Sequence, residues 1–342
     1  MKRKINVLNS FPFFSETQLD VVRNSVPQAV VDSFAYGETE EERSARRKGE
    51  INKLGPHTRE LSPQYIEKLA EAEVMFTLDA PTDFVRYAPK LKWVQLIGAG
   101  VDHLKGTGLF ESNVDIVTTR AARLVAEHAI ALVLLLAKQL GQYHELSKAH
   151  QWQRLFGQTL WGNTVGIVGL GHVGTELARL CNAFETRVLA TRLKWQEPPK
   201  VHVDAMFPPE KLKEMLSQCD YVVLCMALTP QTENMFGEAE LRSMQPGAFL
   251  VNVARGEVLQ EDALVRALRE GWIAGAALDV FRTEPLSQDS ELWNLPNLFI
   301  TPHSASSVVN YIDVALGQFC ENLRRYVDGK PPLNVIDKKL GF

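Results

Sequence analysis

The sequence predicts an α/β protein built on parallel sheets, and three observations carry that prediction. Short apolar, β-rich runs alternate with helical or charged stretches. The runs fall into two successive sets. A long apolar helical stretch separates the sets and reads as buried between layers.

The first set is KINVLN, QAVVDSF, VMFTL and KWVQLI, each bounded by turn residues. Between its second and third runs the chain becomes charge-dense, ETEEERSARRKGEINKLGPHTRE at 38–60. This stretch reads as a solvated helix or mobile loop, with a partner-binding insertion as the alternative. AARLVAEHAIALVLLLAKQL at 121–140 reads as one long helix, with no Gly or Pro inside it. The second set follows as TVGIVG, RVLAT, YVVLCM, AFLVNV, IAGAALDV and LFIT, which reads as a doubly wound domain. A last helical stretch near 308–328 comes after that set is complete and is free to return to the first.

The 342 residues are enough for two domains of ordinary size. With 45% hydrophobic and 23% charged residues and a net charge of −4, no global field draws the chain to nucleic acid or an anionic membrane. Neither is expected as a partner. The longest apolar run, AIALVLLLA at 129–137, is too short to span a bilayer. The start, MKRKINVLNS, has a basic head but no sustained apolar region, so it does not read as a secretory signal. The four cysteines show neither CxxC nor metal-ligand spacing, so no metal site is expected. They read as reduced packing residues of a cytoplasmic protein.

Gly169-Leu170-Gly171-His172-Val173-Gly174 matches GxGxxG, with an apolar strand leading in and a helical stretch leading out. In that context Gly169 allows the tight turn, Gly171 admits a pyrophosphate to the backbone, and Gly174 lets helix and strand pack closely. A dinucleotide cofactor is therefore expected. In an NAD site an acidic residue about 20 positions further on binds the ribose 2′-hydroxyl. Here that window holds Thr191 and Arg192, with Lys194 close by. A hydroxyl and a forked guanidinium suit a 2′-phosphate, which a carboxylate would repel. NADP(H) is the expected cofactor, with NAD(H) as the alternative.

Three later segments place polar groups just after apolar runs: NVARGEVL at 252–259, ALDVFRTEPL at 277–286 and ITPHSAS at 300–306. Ligands of open α/β sheets bind at the carboxyl ends of the strands. Arg255, Asp279, Glu284 and His303 are therefore expected to converge. Each alone reads as a turn residue; four at successive strand ends read as a set. Reduction of a 2-keto acid needs a proton donor, and an imidazole suits that task. Glu284 is the candidate to orient His303, and Arg255 the candidate to hold carboxylate and carbonyl with forked hydrogen bonds.

These blocks, with LIGAGVDHL at 96–104, VAEHAIALVLLLAK, VGIVGLGHVG, LVNVARGEVLQEDALVRAL and ENLRRYVDGKPPLNVID at 321–337, occur in family order. The chain resembles the D-isomer-specific 2-hydroxyacid dehydrogenases. The resemblance implies two Rossmann- or flavodoxin-like domains with parallel sheets and an interdomain active-site cleft. It implies a discontinuous substrate domain, 1–119 with 308–342, and a dinucleotide-binding domain, 120–307. It puts the catalytic Arg, Glu and His on Arg255, Glu284 and His303. The substrate-carboxylate loop falls on Gly98, Ala99, Gly100 and Val101, and cofactor contacts fall on His172, Val173, Ala227, Val253, Ala254 and Asp279. It also implies a homodimer pairing through the cofactor domain. The missing acidic residue makes the chain similar to the NADPH-using glyoxylate and hydroxypyruvate reductases. The alternatives are a dehydrogenase for a bulkier 2-hydroxy acid, and a nucleotide-sensing corepressor-like protein of the same fold.

Overall fold

The computed structural model describes residues 3–47, 50–51 and 61–341. It divides into two compact units, Met1–Arg120 with Val308–Phe342, and Ala121–Ser307.

The first unit is a five-stranded parallel sheet of β1 (Ile5–Asn9), β2 (Ala29–Ser33), β3 (Val74–Thr77), β4 (Trp93–Leu96) and β5 (Asp115–Val117). Its order, β2-β1-β3-β4-β5, is flavodoxin-like. Both faces are covered, so the strands read as apolar runs whose side chains alternate between two cores. Val7, Val74, Phe76 and Trp93 enter one core, and Leu8, Met75 and Val94 the other. Helix α1 (Glu16–Ser25) starts at a capping box in which Ser15 and Gln18 satisfy each other's backbone amides. The last helix, α10 (Tyr311–Val327), returns to this sheet: Phe319 meets Phe76 at 4.9 Å and Trp93 at 5.7 Å between ring centroids.

The charged segment departs from expectation. Its described part is a helix whose start is exposed, but not a wholly solvated one: α2 (Glu40–Arg47) buries Arg46 and Arg47 to 3% and 9% exposure. Thr39 and Glu42 cap its start reciprocally. Arg43, Arg46 and Arg47 share one helical face by their spacing. Arg43 forks onto both carboxylate oxygens of the fully buried Asp79, at 2.8 and 3.1 Å, and Arg46 pairs with buried Glu38. Removing one partner of such a pair leaves an uncompensated charge and costs about 3–5 kcal/mol. The rest of the segment, 48–49 and 52–60, lies outside the described residues. Helix α3 (Pro63–Glu71) follows, with Ser62 as its cap and Pro63 at its first position.

The second unit opens with α4 (Ala122–Ala137) and α5 (Leu140–Lys148). The stretch 121–140 is thus not one helix. The Gln158 amide takes the carbonyl of Ala137 at 2.7 Å, and Gln139 turns left-handed at φ 54°. Among the described residues no single helix is long and apolar enough to cross a membrane; α4 and α5 reach that length only as a pair bent by 64°. The sheet comprises β6 (Thr164–Val168), β7 (Arg187–Thr191), β8 (Ala205–Phe207), β9 (Tyr221–Leu224), β10 (Phe249–Asn252), β11 (Gly275–Leu278) and β12 (Leu298–Ile300). The helices α6 (His172–Ala183), α7 (Leu212–Leu216), α8 (Glu238–Leu241) and α9 (Glu261–Glu270) connect these strands. The order is β12-β11-β10-β9-β6-β7-β8, all parallel. Strand order reverses between β6 and β9, the switch point where doubly wound sheets bind nucleotides. The edge strands β5 and β8 are not anticipated by the sequence pattern.

Phe76→Ala should lower the stability of the first unit by about 3–5 kcal/mol, because the ring is fully buried against Phe14 and Phe319. Urea unfolding followed through Trp93, in the same core, measures it.

Candidate active site

The turn after β6 lies at the switch point. Gly169 adopts φ 103°, and a Cβ there would stand 2.6 Å from the Met226 nitrogen, on the chain leaving β9. A Cβ on Gly174 would stand 2.4 Å from the Gly169 carbonyl oxygen, so only glycine lets α6 start this close to the strand. A Cβ on Gly171 would meet nothing within 4 Å. Backbone is therefore open to a ligand at the one position where a pyrophosphate needs it. No side chain caps the start of α6, so its first-turn amides and positive dipole end suit phosphate. His172 is exposed and Val173 half-buried at that start. The residues present fit a dinucleotide.

The amides of Gly169 and Leu170 both donate to the Thr191 carbonyl at 2.9 Å, tying the turn to the end of β7. The Thr191 side chain does not serve as expected. The residue is buried, and its Oγ1 has no hydrogen-bond partner among the described residues. It offers no exposed hydroxyl to a ribose or phosphate. Arg192 is half-buried; its Nε donates to the Lys194 carbonyl at 3.0 Å and its Nη2 to that of Glu197. Its guanidinium is thus held in place at the strand end. Ala227 follows β9, and its carbonyl accepts the Thr232 hydroxyl at 2.7 Å. Val253 and Ala254 are buried just past β10, at 8% and 5% exposure.

The expected reacting groups meet at the carboxyl ends of β10, β11 and β12. His303 Nδ1 stands 2.9 Å from Glu284 Oε2, and Glu284 Oε1 accepts the Phe281 amide at 3.1 Å. Glu284 is buried at 8% side-chain exposure, whereas the His303 ring is 43% exposed. A carboxylate accepts, so Nδ1 carries the proton and Nε2 is the ring's outward atom. His303 itself has φ 50°, a left-handed conformation costing a non-glycine residue about 1–2 kcal/mol.

Asp279 holds that conformation. Its carbonyl accepts the His303 amide at 2.7 Å. Its carboxylate accepts from Thr301 Oγ1 at 2.6 Å, from the Ser304 amide at 2.8 Å and from the Ala305 amide at 3.0 Å. His128 of α4 reaches the same cluster, with Nε2 3.1 Å from Thr301 Oγ1 and 3.4 Å from Asp279 Oδ1. Burial would raise the pKa of the Asp279 carboxyl, but the hydrogen bonds from His128, Thr301, Ser304 and Ala305 outweigh it and hold it below the ordinary value. Asp279 therefore anchors the loop that carries His303.

Arg255 follows β10 with an extended backbone, and Asn252 fixes its turn. Asn252 Nδ2 donates to the Arg255 carbonyl at 3.0 Å, and its Oδ1 accepts the Ala254 amide at 3.0 Å. A Cβ on Gly256 would fall 1.8 Å from the Phe281 carbonyl carbon. The loop of Arg255 thus packs directly on the loop of Glu284. Sequence reasoning missed His128, Asn252 and Thr301. His128 sits within an apolar helical run and reads as core, while Thr301 and Asn252 read as strand ends. In the first unit, Gly98-Ala99-Gly100-Val101 follows β4, with the Gly98 carbonyl accepting the Thr119 amide at 3.1 Å. Arg120 is exposed, and Gln318 holds its backbone amide and carbonyl at 2.9 and 3.1 Å.

Burial pushes the thiols of Cys181 and Cys219 up to about 12, so neither is a nucleophile at neutral pH. Among the described residues no His, Cys, Asp and Glu side chains cluster as a metal-binding set.

A family model described as D-isomer specific 2-hydroxyacid dehydrogenase, NAD binding domain, matches residues 130–305. The chain is 32% identical over 292 residues to a glyoxylate reductase of Pyrococcus furiosus, covering 80% of this chain and 85% of that protein. A D-isomer specific 2-hydroxyacid dehydrogenase from Xanthobacter autotrophicus Py2, solved in complex with NADPH and MES, matches with TM-score 0.79 and 26% identity. The match covers 99% of this chain and 100% of that one. An NADPH-dependent glyoxylate/hydroxypyruvate reductase from Sinorhizobium meliloti, solved with NADP and sulfate, matches with TM-score 0.76 and 25% identity over the same shares.

Asp279→Asn should lower turnover by about tenfold or more, because an amide nitrogen cannot accept the bonds that a carboxylate oxygen accepts. The wild-type carboxyl is held low, so its contribution to stability is complete above the ordinary carboxylate range and is lost as pH falls below it. Acid unfolding of the two proteins, compared from pH 7 downward, should converge at the acid end.

Proposed function

The chain belongs to the D-isomer-specific 2-hydroxyacid dehydrogenases, oxidoreductases with a nicotinamide cofactor, and from that membership we propose an NADPH-preferring reductase of small 2-keto acids such as glyoxylate or hydroxypyruvate. The observation that carries the reading is the His303–Glu284 pair, 2.9 Å apart at the edge of the sheet whose switch point holds the phosphate turn.

The nicotinamide, when bound, supplies the hydride. His303 enters the step as the imidazolium and gives its Nε2 proton to the alkoxide oxygen, and Glu284 holds the neutral Nδ1–H ring that remains. Asp279 holds the left-handed backbone from which the ring projects. Arg255 holds the substrate carboxylate and carbonyl with its forked donors. By the family resemblance, the turn at 98–101 offers backbone amides to a substrate carboxylate. Gly171, His172 and Val173 would meet the pyrophosphate on the turn that Gly169 and Gly174 shape, and Ala227, Val253 and Ala254 are further cofactor contacts.

Preference for the 2′-phosphate rests on Arg192 and on the absence of an acidic residue at the end of β7, while the Thr191 carbonyl ties the phosphate turn to the strand. The NADPH and NADP complexes of the relatives from Xanthobacter and Sinorhizobium support it. A homodimer in the cytoplasm belongs to the same reading. Trp152, Phe156 and Trp161, at 105%, 86% and 69% exposure, are exposed apolar side chains of the second unit that a second copy would cover.

Steady-state reduction of glyoxylate and hydroxypyruvate with NADPH and NADH side by side tests the proposal; tight cofactor binding without turnover would point instead to a nucleotide sensor. His303→Ala should reduce kcat by about 10²–10⁴-fold with little change in cofactor affinity, since it removes the proton donor alone. Arg192→Ala should raise the KM for NADPH by about tenfold or more, the worth of a charged hydrogen bond, and leave that for NADH within about twofold. Equal losses for both cofactors would remove Arg192 from the 2′-phosphate site.

A further inference from the structure

The arginine face of α2 has no part in the chemistry above, yet it sits at the carboxyl edge of the first sheet. The segment leading into it follows β2, and the Glu38 amide donates at 2.9 Å to Asp79, just past β3. Arg46 Nη1 donates to Thr82 Oγ1 and to the Lys105 carbonyl, each at 3.2 Å. Lys105 returns the tie, its Nζ donating to the Arg47 carbonyl at 3.2 Å, and Arg47 Nε lies 3.9 Å from Asp102 Oδ2. These contacts fall on the short 3-10 turn Asp102–Leu104 and its exit, and that turn begins at Val101. The Leu104 amide donates to the Val101 carbonyl at 3.0 Å, and His103 Nε2 lies 2.8 Å from the Leu78 carbonyl oxygen. Residues 98–101 are therefore continuous with a turn racked between α2 and the chain after β3.

We infer that α2 is a positioning element for substrate choice: its arginine face fixes the turn 98–106 and thereby adapts the enzyme to short 2-keto acids. The inference rests on the carboxylate role proposed above for residues 98–101. A short keto acid has little beyond its carboxylate and carbonyl to hold. Its binding depends on amides that are already in place, because ordering them on binding would consume the few contacts it makes. A bulky keto acid draws affinity from apolar contacts as well and tolerates a looser turn. Holding the turn with buried ion pairs thus favours the small substrate selectively.

The test is a double variant, Glu38→Gln with Arg46→Met, which removes both charges of the buried pair so that neither is left uncompensated. Glyoxylate and phenylpyruvate are compared with NADPH as the reductant, and thermal unfolding is followed alongside. The expected result is a rise of about tenfold or more in KM for glyoxylate with kcat within about twofold, a change under about threefold in KM for phenylpyruvate, and an unaltered KM for NADPH. Lys105→Met, at an exposed side chain, removes the second tie and serves if the double variant does not fold; it should move the glyoxylate KM in the same direction by about threefold. An unchanged glyoxylate KM in the variants overturns the inference. So do parallel losses for both keto acids and the cofactor, which would mark α2 as a general support of the fold. A wild-type protein that reduces neither keto acid overturns the proposed function itself, and this inference with it.

Discussion

The Asp279 carboxylate is held by Thr301, Ser304 and Ala305, with His128 behind it, and the backbone of His303 is held by the Asp279 carbonyl. A left-handed histidine is unfavourable by itself, and persists only where its surroundings over-determine it. Here one residue at the end of β11 supplies both the main-chain and the side-chain bonds that do so. The direction of the His303 ring, and so its approach to Glu284, follows from a charge placed at a strand end. Because α4 contributes His128 to this cluster, the apolar helix that covers the sheet also braces the reacting loop.

A second constraint acts on the loops around it. Parallel strands bring their carboxyl ends to one edge, so the turns after β6, β9, β10, β11 and β12 have no choice but to be neighbours. Glycine then sets how closely they approach. Gly256 lets the Arg255 loop lie against Phe281, and Gly169 lets the phosphate turn lie against Met226. On the proposed reading, the Arg255 loop lies close to the loop of Glu284 because the residue between Arg255 and Glu257 has no side chain.

Most of this was legible in the sequence because double-sided burial writes parallel strands as unbroken apolar runs. β5 and β8 escaped because each is three residues long and opens on or just after an aspartate, which leaves no sustained apolar run. The end of α4 escaped because the Gln158 amide, a tertiary contact, sets it. Arg43 of α2 read as solvated because its partner Asp79 lies 36 residues away in sequence. Polar groups after apolar runs marked Arg255, Asp279, Glu284 and His303. At Thr191 the strand end is covered on both faces, and the hydroxyl is buried. His128 could not be singled out, since one histidine in an apolar helix carries no signal of what lies across from it.

The end of β7 shows how far one substitution of residue type goes on the proposed cofactor reading. Two unit charges of like sign about 4 Å apart at an effective dielectric near 20 repel by about 4 kcal/mol. A carboxylate at this position would therefore oppose each charge of a 2′-phosphate by more than the roughly 1.5–3 kcal/mol that one charged hydrogen bond contributes. What the strand end lacks thus removes a penalty against the 2′-phosphate, and the preference for it then comes from Arg192. Arg192 has its Nε and Nη2 already bound to the carbonyls of Lys194 and Glu197, so little further ordering accompanies its contact with a phosphate. A site built this way rejects nothing about a bare ribose. It accepts NADH with the contacts of the pyrophosphate turn intact, and it prefers NADPH by the strength of one guanidinium.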